Sequence, residues 1–531
     1  MAVGSVQSTT PDSAPDTTDQ PTGIPRWLVV AAWAVAALSF LPALVQTLHR
    51  RWAADAFLHA AVFRDIAAHP LHPVEPIIGG DQGSPYITPF SLPIGWLLRL
   101  FGGSGYDGLT IAAIVNTVLL VAGVVLLTRA VSKQPLAAPL ALIFTMLLWG
   151  SRTWVFSGVL ALNSLGFVLP YPSTTGIALL LLHWAVLLHF LRRRSWWLFA
   201  LLVIIAVVIA TVHAFSAGCD GLGLVLIVLW QRKLLSWKVA GWLAAGAVVA
   251  GVLTLIWPYY SVLKLSNAGP AYSAIHQSLY VGITTRGYLL LFCVPLLARR
   301  WWRDKLDPFA LGFVVTLAIY AFGGLSGQYA FGRIITLVAL CAQVGAALEL
   351  ADWLGAAHFP EPGRMLPIPA AAMGTAVVAF GCCLGIAGSG DGLVQAIPRS
   401  DLLSFIRQGA QRVPDVTQYD YLDQNLGEGD VVIASAWRYA VPALANGGTL
   451  VVSPYPDAFT PDDTVRRTAV ASFFAASATP AQRAVVLTKY HVKWVLWGRT
   501  DGPVPPALGA PVGTSPDGTR LYHATAAQFS G

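Results

Sequence analysis

Residues 48–89 hold Asp55, His59, Asp65, His69, His72, Glu75 and Asp81, in a chain of 531 residues with only 26 acidic side chains. Carboxylates and imidazoles at this density can do three things. One carboxylate can take a proton from a hydroxyl and turn a poor nucleophile into a good one, as group transfer requires. Acids and histidines together can hold a divalent metal. Or the segment is a solvated surface and does neither. Asp55 and His59 stand four apart and share a face if the segment is helical, and Asp65 falls close to the same face. Asp55, His59, Asp65, Glu75 and Asp81 are the candidate acidic or acceptor-binding positions.

A base needs a leaving group to work against. Where that group is a phosphate, as in sugar transfer from a phosphate-linked donor, cations must meet the charge that develops on it. Arg50, His213, Arg286 and Arg333 stand near the ends of apolar runs. They are the candidate phosphate contacts; the alternatives are that the arginines extend to lipid headgroups and that His213 is a hydrogen-bonded helix-end histidine.

The elements that must position these groups are membrane helices. The chain is 56% hydrophobic and 11% charged, against roughly 25% charged in soluble domains. Too few charges remain to coat a water-facing surface. A spanning helix takes about 20 apolar residues, and candidate spans lie at 27–47, 109–129, 135–150, 173–191, 196–215, 219–231, 239–257, 285–299, 308–325, 329–350 and 367–388. The stretch 90–102 is too short and reads as an interfacial helix. With the N-terminus in the cytoplasm, Arg129 and Lys133, Arg192–Arg194, Arg232 to Lys238, Arg299 to Lys305, and Arg364 all fall inside. That is the arrangement the positive-inside rule requires. His49, Arg50, Arg51, Arg152, Lys264, Arg286 and Arg333 then face outward against the rule, which a lipid phosphate would explain.

Three further readings follow from composition. The net charge of +7 sits in short clusters between apolar runs, so it marks topology and not nucleic-acid binding. Cys219, Cys293, Cys341, Cys382 and Cys383 all lie in apolar stretches without zinc-ligand spacing. Residues 1–26 form a polar, disordered cytoplasmic tail, 27–396 a membrane domain whose first outer loop is 48–108, and 397–531 a small α/β domain outside the membrane. In the last, strands at 431–435, 449–453 and 492–497 alternate with helical patterns at 463–477 and 480–489. Its Trp437, Tyr439, Tyr455, Trp494 and Trp497 either stack on sugar rings or fill the domain's core.

Asp55 to His59, the run SPYITPFSLPIGWLLRLFG at 84–102, the run at 211–216 and Phe331 to Ile335 resemble segments of the GT-C superfamily of membrane glycosyltransferases. The resemblance covers nearly the whole chain and implies a polytopic α-helical fold of about 11 membrane helices. It implies a catalytic Asp early in the first outer loop, which Asp55 matches; no residue is assigned as a metal ligand, and a divalent metal stays open as cofactor for the acid-and-histidine loop. The donor implied is a polyprenyl-phosphate monosaccharide, and the acceptor a cell-envelope glycan, lipoglycan or protein. Arginine outnumbers lysine and alanine is abundant, as in GC-rich bacteria; an actinobacterial source would point to decaprenyl-phosphate arabinofuranose or mannose. The Trp-Trp-Asp motif of oligosaccharyltransferases is missing from 397–531, which argues against N-glycosylation. The rival class is a transporter or flippase of lipid-linked sugar. Against it stand the lack of an internal repeat and the placement of charges at helix ends.

Overall fold

The computed structural model describes residues 24–265, 273–358 and 368–529. Arg364 and most of the N-terminal tail lie outside the described residues.

Among the described residues six helices are long and apolar enough to cross a membrane: Arg26–Leu48, Gly105–Val131, Pro172–Arg193, Trp237–Leu255, Pro308–Ser326 and the stretch Tyr329–Ala356. Five shorter apolar helices accompany them, Ser91–Phe101, Ala137–Leu147, Trp196–Val212, Ala214–Trp230 and Ala372–Ala387. The chain is a polytopic membrane protein. The run 285–299 is not one continuous helix. It divides into a 3-10 segment, Tyr288–Cys293, and a helix, Val294–Arg303, that begins on a proline. Ser91–Phe101 is a helix of 11 residues, about 16 Å long at 1.5 Å per residue, which is too short to span.

The bundle is ordered by how much of each helix faces its neighbours. Tyr329–Ala356 is 94% enclosed, whereas Trp237–Leu255 is 22% enclosed and turns most of its surface outward. Between Gly105–Val131 and Pro172–Arg193 the backbones approach closely: a side chain at Gly123 would meet the Ala178 carbonyl at 2.7 Å. Small residues permit such contacts where no hydrophobic drive separates helix from lipid. At the end of the bundle remote from the first loop, the wholly buried Glu349 takes Arg299 and Arg303, and Asp307 takes Arg300. These arginines belong to the densest basic cluster of the sequence, and here they also compensate buried acids.

The C-terminal region folds as a five-stranded sheet: β1 (Val431–Ala434), β2 (Thr449–Leu450), β3 (Trp494–Trp497), β4 (Gly513–Thr514) and β5 (Arg520–His523), in the order β2-β1-β3-β5-β4. β1 runs parallel to β2 and β3, while β5 is antiparallel to β3 and β4. Parallel neighbours need crossovers, and helices supply them: Trp437–Ala445 between β1 and β2, then Asp463–Phe474 and Pro480–Lys489 between β2 and β3. Trp494, Trp497 and Tyr439 are buried, so these three aromatics serve the core.

This domain is fastened to the first loop. The loop helix Ala56–Ala68 packs on Trp437–Ala445, and Phe57 meets Tyr419 edge-on at 5.1 Å. Arg64 donates to the Leu444 carbonyl at 2.7 Å, and the Leu450 amide donates to the Ile77 carbonyl at 2.6 Å. Asn446 donates to the Tyr106 hydroxyl at 2.9 Å.

Candidate active site

Asp55 stands at the start of Ala56–Ala68, half-buried, directly after Ala54 at φ +54°. Left-handed backbone is costly for a residue with a Cβ, so the surrounding packing imposes this turn. Arg50, at φ +50°, makes a second left-handed corner between the first membrane helix and Asp55. Burial pushes the Asp55 carboxyl above its ordinary range; a hydrogen bond from Tyr455 and the charge of Arg333 pull the other way. The helix N-terminus adds a partial positive charge that favours the carboxylate. The Tyr455 hydroxyl donates to Oδ1 of Asp55 at 2.5 Å.

His59, one turn on, is buried against the rings of Tyr171 at 5.0 Å and Tyr86 at 6.0 Å. Burial pushes its imidazole down to about 3, so it is neutral at physiological pH and forms a wall of the site.

A cavity lies beside this corner, lined by Ser157, Gly158, His213, Phe215, Ser216, Arg333 and Thr336, with Ile177, Leu180, Leu337 and Leu340 on its apolar side. His213 is the single residue between Trp196–Val212 and Ala214–Trp230, and its Nδ1 lies 2.8 Å from the Ser216 hydroxyl and accepts the Ser216 amide at 3.2 Å. Arg333 rides on the 3-10 turn Tyr329–Ile334, just before the central helix. Its guanidinium donates to the carbonyl and hydroxyl of Ser157 and lies over the rings of Phe156 and Phe215. The lining thus combines polar groups with aliphatic side chains.

The other candidates lie elsewhere. Arg50 pairs with Asp107 at 2.5 Å, with both side chains partly exposed. Arg286 donates to the Val281 carbonyl at 2.9 Å and lies over Trp154. Asp65, at the far end of Ala56–Ala68, meets His69 at 3.1 Å; burial pushes its carboxyl up to about 6. Glu75 is buried and accepts the amides of Ile77 and Ile78 at 2.8 and 2.6 Å, closing a turn. Burial lifts its carboxyl to about 7. Asp81 is exposed. So the structure gathers Asp55, His59, His213 and Arg333 around one corner and spreads the rest. Among the described residues no three His, Cys, Asp or Glu side chains form a group that could hold a metal.

Two features escaped the sequence. Phe156 and Ser157, which hold Arg333, carried no distinguishing spacing, whereas Phe215 lies in the run at 211–216. His183 and Asp220, on adjacent apolar helices, meet at 2.7 Å inside the bundle. Ionisable groups are therefore not confined to helix ends, as the charge pattern had implied.

No protein-family model matches the chain, and no curated protein sequence matches it. Solved structures do. The chain is similar to ArnT from Cupriavidus metallidurans bound to undecaprenyl phosphate, at 15% identity and TM-score 0.55, covering 94% of this chain and 98% of that one. It is similar to the oligosaccharyltransferase AglB from Archaeoglobus fulgidus, in complex with an inhibitory peptide and a dolichol-phosphate, at 12% identity and TM-score 0.52, covering 89% and 69%. It is similar to the arabinofuranosyltransferase AftD from Mycobacteria at 16% identity and TM-score 0.52, covering 94% of this chain but 40% of that one. The architecture common to the three is the one that the first-loop and aromatic-proline segments led us to expect. The chain shares the fold of these three structures, the GT-C fold that the sequence led us to expect.

Proposed function

We propose that the protein is a glycosyltransferase that moves one sugar from a polyprenyl-phosphate donor to an acceptor hydroxyl at the outer face of the plasma membrane. Asp55 is the general base and Arg333, with His213, receives the donor phosphate. The observation that carries this reading is the meeting of opposite charges at one corner: a half-buried carboxylate in the electrostatic reach of Arg333, with Arg333 and His213 lining a cavity whose other walls include aliphatic side chains. A polyprenyl phosphate likewise joins a charged group to an apolar chain.

In the step proposed, the acceptor O–H bond breaks and its proton passes to Asp55. The freed oxygen bonds to the anomeric carbon as the bond from that carbon to the phosphate oxygen breaks. The phosphate leaves with one more negative charge than it had as a diester, and Arg333 is the group that gains interaction as the charge grows. One base and one displacement invert the anomeric centre. The fold supports membrane placement, and the basic clusters support an N-terminus inside with the α/β domain outside. Arabinofuranose and mannose, carried on decaprenyl phosphate, are the first donors to try; an envelope glycan, lipoglycan or protein is the acceptor class.

The test is transfer by purified protein in lipid nanodiscs. A panel of synthetic polyprenyl-phosphate sugars and crude envelope acceptors is supplied to wild type beside Asp55→Asn. Product from wild type alone supports the reading. Equal turnover by Asp55→Asn removes Asp55 as base, and leaflet exchange of lipid-linked sugar without product would favour a flippase.

A further inference from the structure

The α/β domain reaches Asp55 through a side chain. The Tyr455 hydroxyl donates to Oδ1 of Asp55 at 2.5 Å, across 400 residues of sequence. Among the described residues no other side chain hydrogen-bonds this carboxylate. The segment carrying Tyr455, between β2 and Asp463–Phe474, is held at several points. Arg467 donates to the Ser453 carbonyl at 3.0 Å and the Tyr455 carbonyl at 2.5 Å, and its own guanidinium is fixed by Asp463 at 2.7 Å. Asp457 accepts the Phe459 amide at 2.8 Å and the Thr460 hydroxyl at 2.6 Å. The Phe459 ring then meets Tyr260 edge-on at 6.1 Å. A hydroxyl on so constrained a loop has little freedom to be anywhere else.

A base with two equivalent oxygens is inefficient if the carboxylate rotates. Fixing one oxygen aims the other at the nucleophile, and a donor to the ionised form keeps it ionised against burial. We propose that Tyr455 is a positioning residue for transfer: it holds Oδ1 of Asp55 so that Oδ2 faces the acceptor hydroxyl, which makes the α/β domain part of the reaction site. This rests on Asp55 being the base. The bland alternative is a hydrogen bond that merely docks the domain, and pH dependence separates the two.

The experiment is the pH profile of kcat/KM for the full-length protein in nanodiscs, with Tyr455→Phe and with 3-fluorotyrosine at position 455. The Phe variant keeps the ring and loses the donor. The fluorinated ring keeps the shape and donates more strongly. Removing a donor to a charged acceptor raises the acid limb by about one pH unit, so Tyr455→Phe should lose roughly tenfold on the acid side and recover at higher pH. 3-Fluorotyrosine should move the limb down. Donor affinity should be unchanged in both. A uniform loss across pH, or limbs that do not move in opposite directions, would reduce Tyr455 to a docking contact. Asp55→Asn run alongside keeps the two questions apart: full activity there sinks the base assignment, whereas an inactive Asp55→Asn with unshifted Tyr455 variants sinks only the positioning role.

Discussion

The guanidinium carbon of Arg333 lies 4.4 Å from the ring centroid of Phe156, and the Ser157 carbonyl next in the chain accepts from the same side chain at 3.2 Å. The guanidinium is stacked and hydrogen-bonded, so the protein fixes its orientation.

That arrangement distinguishes arginine from lysine. An ammonium keeps the charge but cannot stack or fork. Arg333→Lys should therefore weaken donor binding, by about tenfold, and lower the transfer rate further, with little change in melting temperature. Binding of a fluorescent polyprenyl-phosphate analogue measures the first and turnover the second. Donor affinity equal to wild type in the Lys variant would remove Arg333 from the phosphate contact.

How far this corner could be read from the chain depends on the kind of signal each residue gives. Asp55 was visible because an acid just after a first apolar run is rare in an acid-poor chain. His213 and Arg333 were visible as polar interruptions at helix ends. Glu75 gave the same signal as Asp55 yet closes a turn, because spacing does not tell a carboxylate that accepts amides from one that faces a cavity. Tyr455 was one of five aromatics with equal claims, since nothing local reports a partner 400 residues away. The eighth candidate span, 285–299, departs from one continuous helix for a different reason. Hydropathy averages over a window, and so it passed over the change from 3-10 turn to helix at Val294.

His183 and Asp220 were hidden by the same averaging, since one ionisable group in a long apolar run barely alters the mean. Their contact at 2.7 Å ties Pro172–Arg193 to Ala214–Trp230. Removing one partner of a buried hydrogen bond leaves the other unsatisfied, at a cost of about 1–3 kcal/mol. Asp220→Ala should lower the unfolding temperature in detergent markedly, while Asp220→Asn, which can still hydrogen-bond, should lose less. An Asp220→Ala protein as stable as wild type would mean that the pair does not hold the helices together.

Glu75 supplies a prediction in pH. Burial lifts its carboxyl from 4.5 to about 7, and nearby Asp457 and Asp65 push in the same direction. The folded protein therefore holds this proton more tightly than the unfolded chain does. The stabilisation is fully present below the unfolded value and is lost as pH rises through about 7. Asp65, lifted to about 6, acts with the same sign. Melting temperature should fall between pH 5 and pH 8 in wild type, and Glu75→Gln, neutral throughout and still able to accept the Ile77 and Ile78 amides, should flatten that fall. The slopes of the two proteins decide it: identical slopes would mean that Glu75 does not titrate in this window.

Gly158 offers the sharpest test of the cavity wall. It sits at φ +97°, and a Cβ there would come within 2.6 Å of the Thr336 hydroxyl oxygen, which itself donates to the Gly158 carbonyl at 3.1 Å. Both the backbone conformation and the space exclude a side chain. Ser157, the residue before it, holds Arg333, so relief of the strain must move an Arg333 contact. Gly158→Ala should lose about 1–3 kcal/mol of stability and should also weaken donor binding. Gly102, at φ +72° with nothing within 4 Å of a built Cβ, is the control: Gly102→Ala pays the backbone cost alone and should bind donor normally. Donor affinity that falls in Gly158→Ala but not in Gly102→Ala ties the Ser157–Gly158 corner to the phosphate site. Equal affinities in both would show that the corner is only structural.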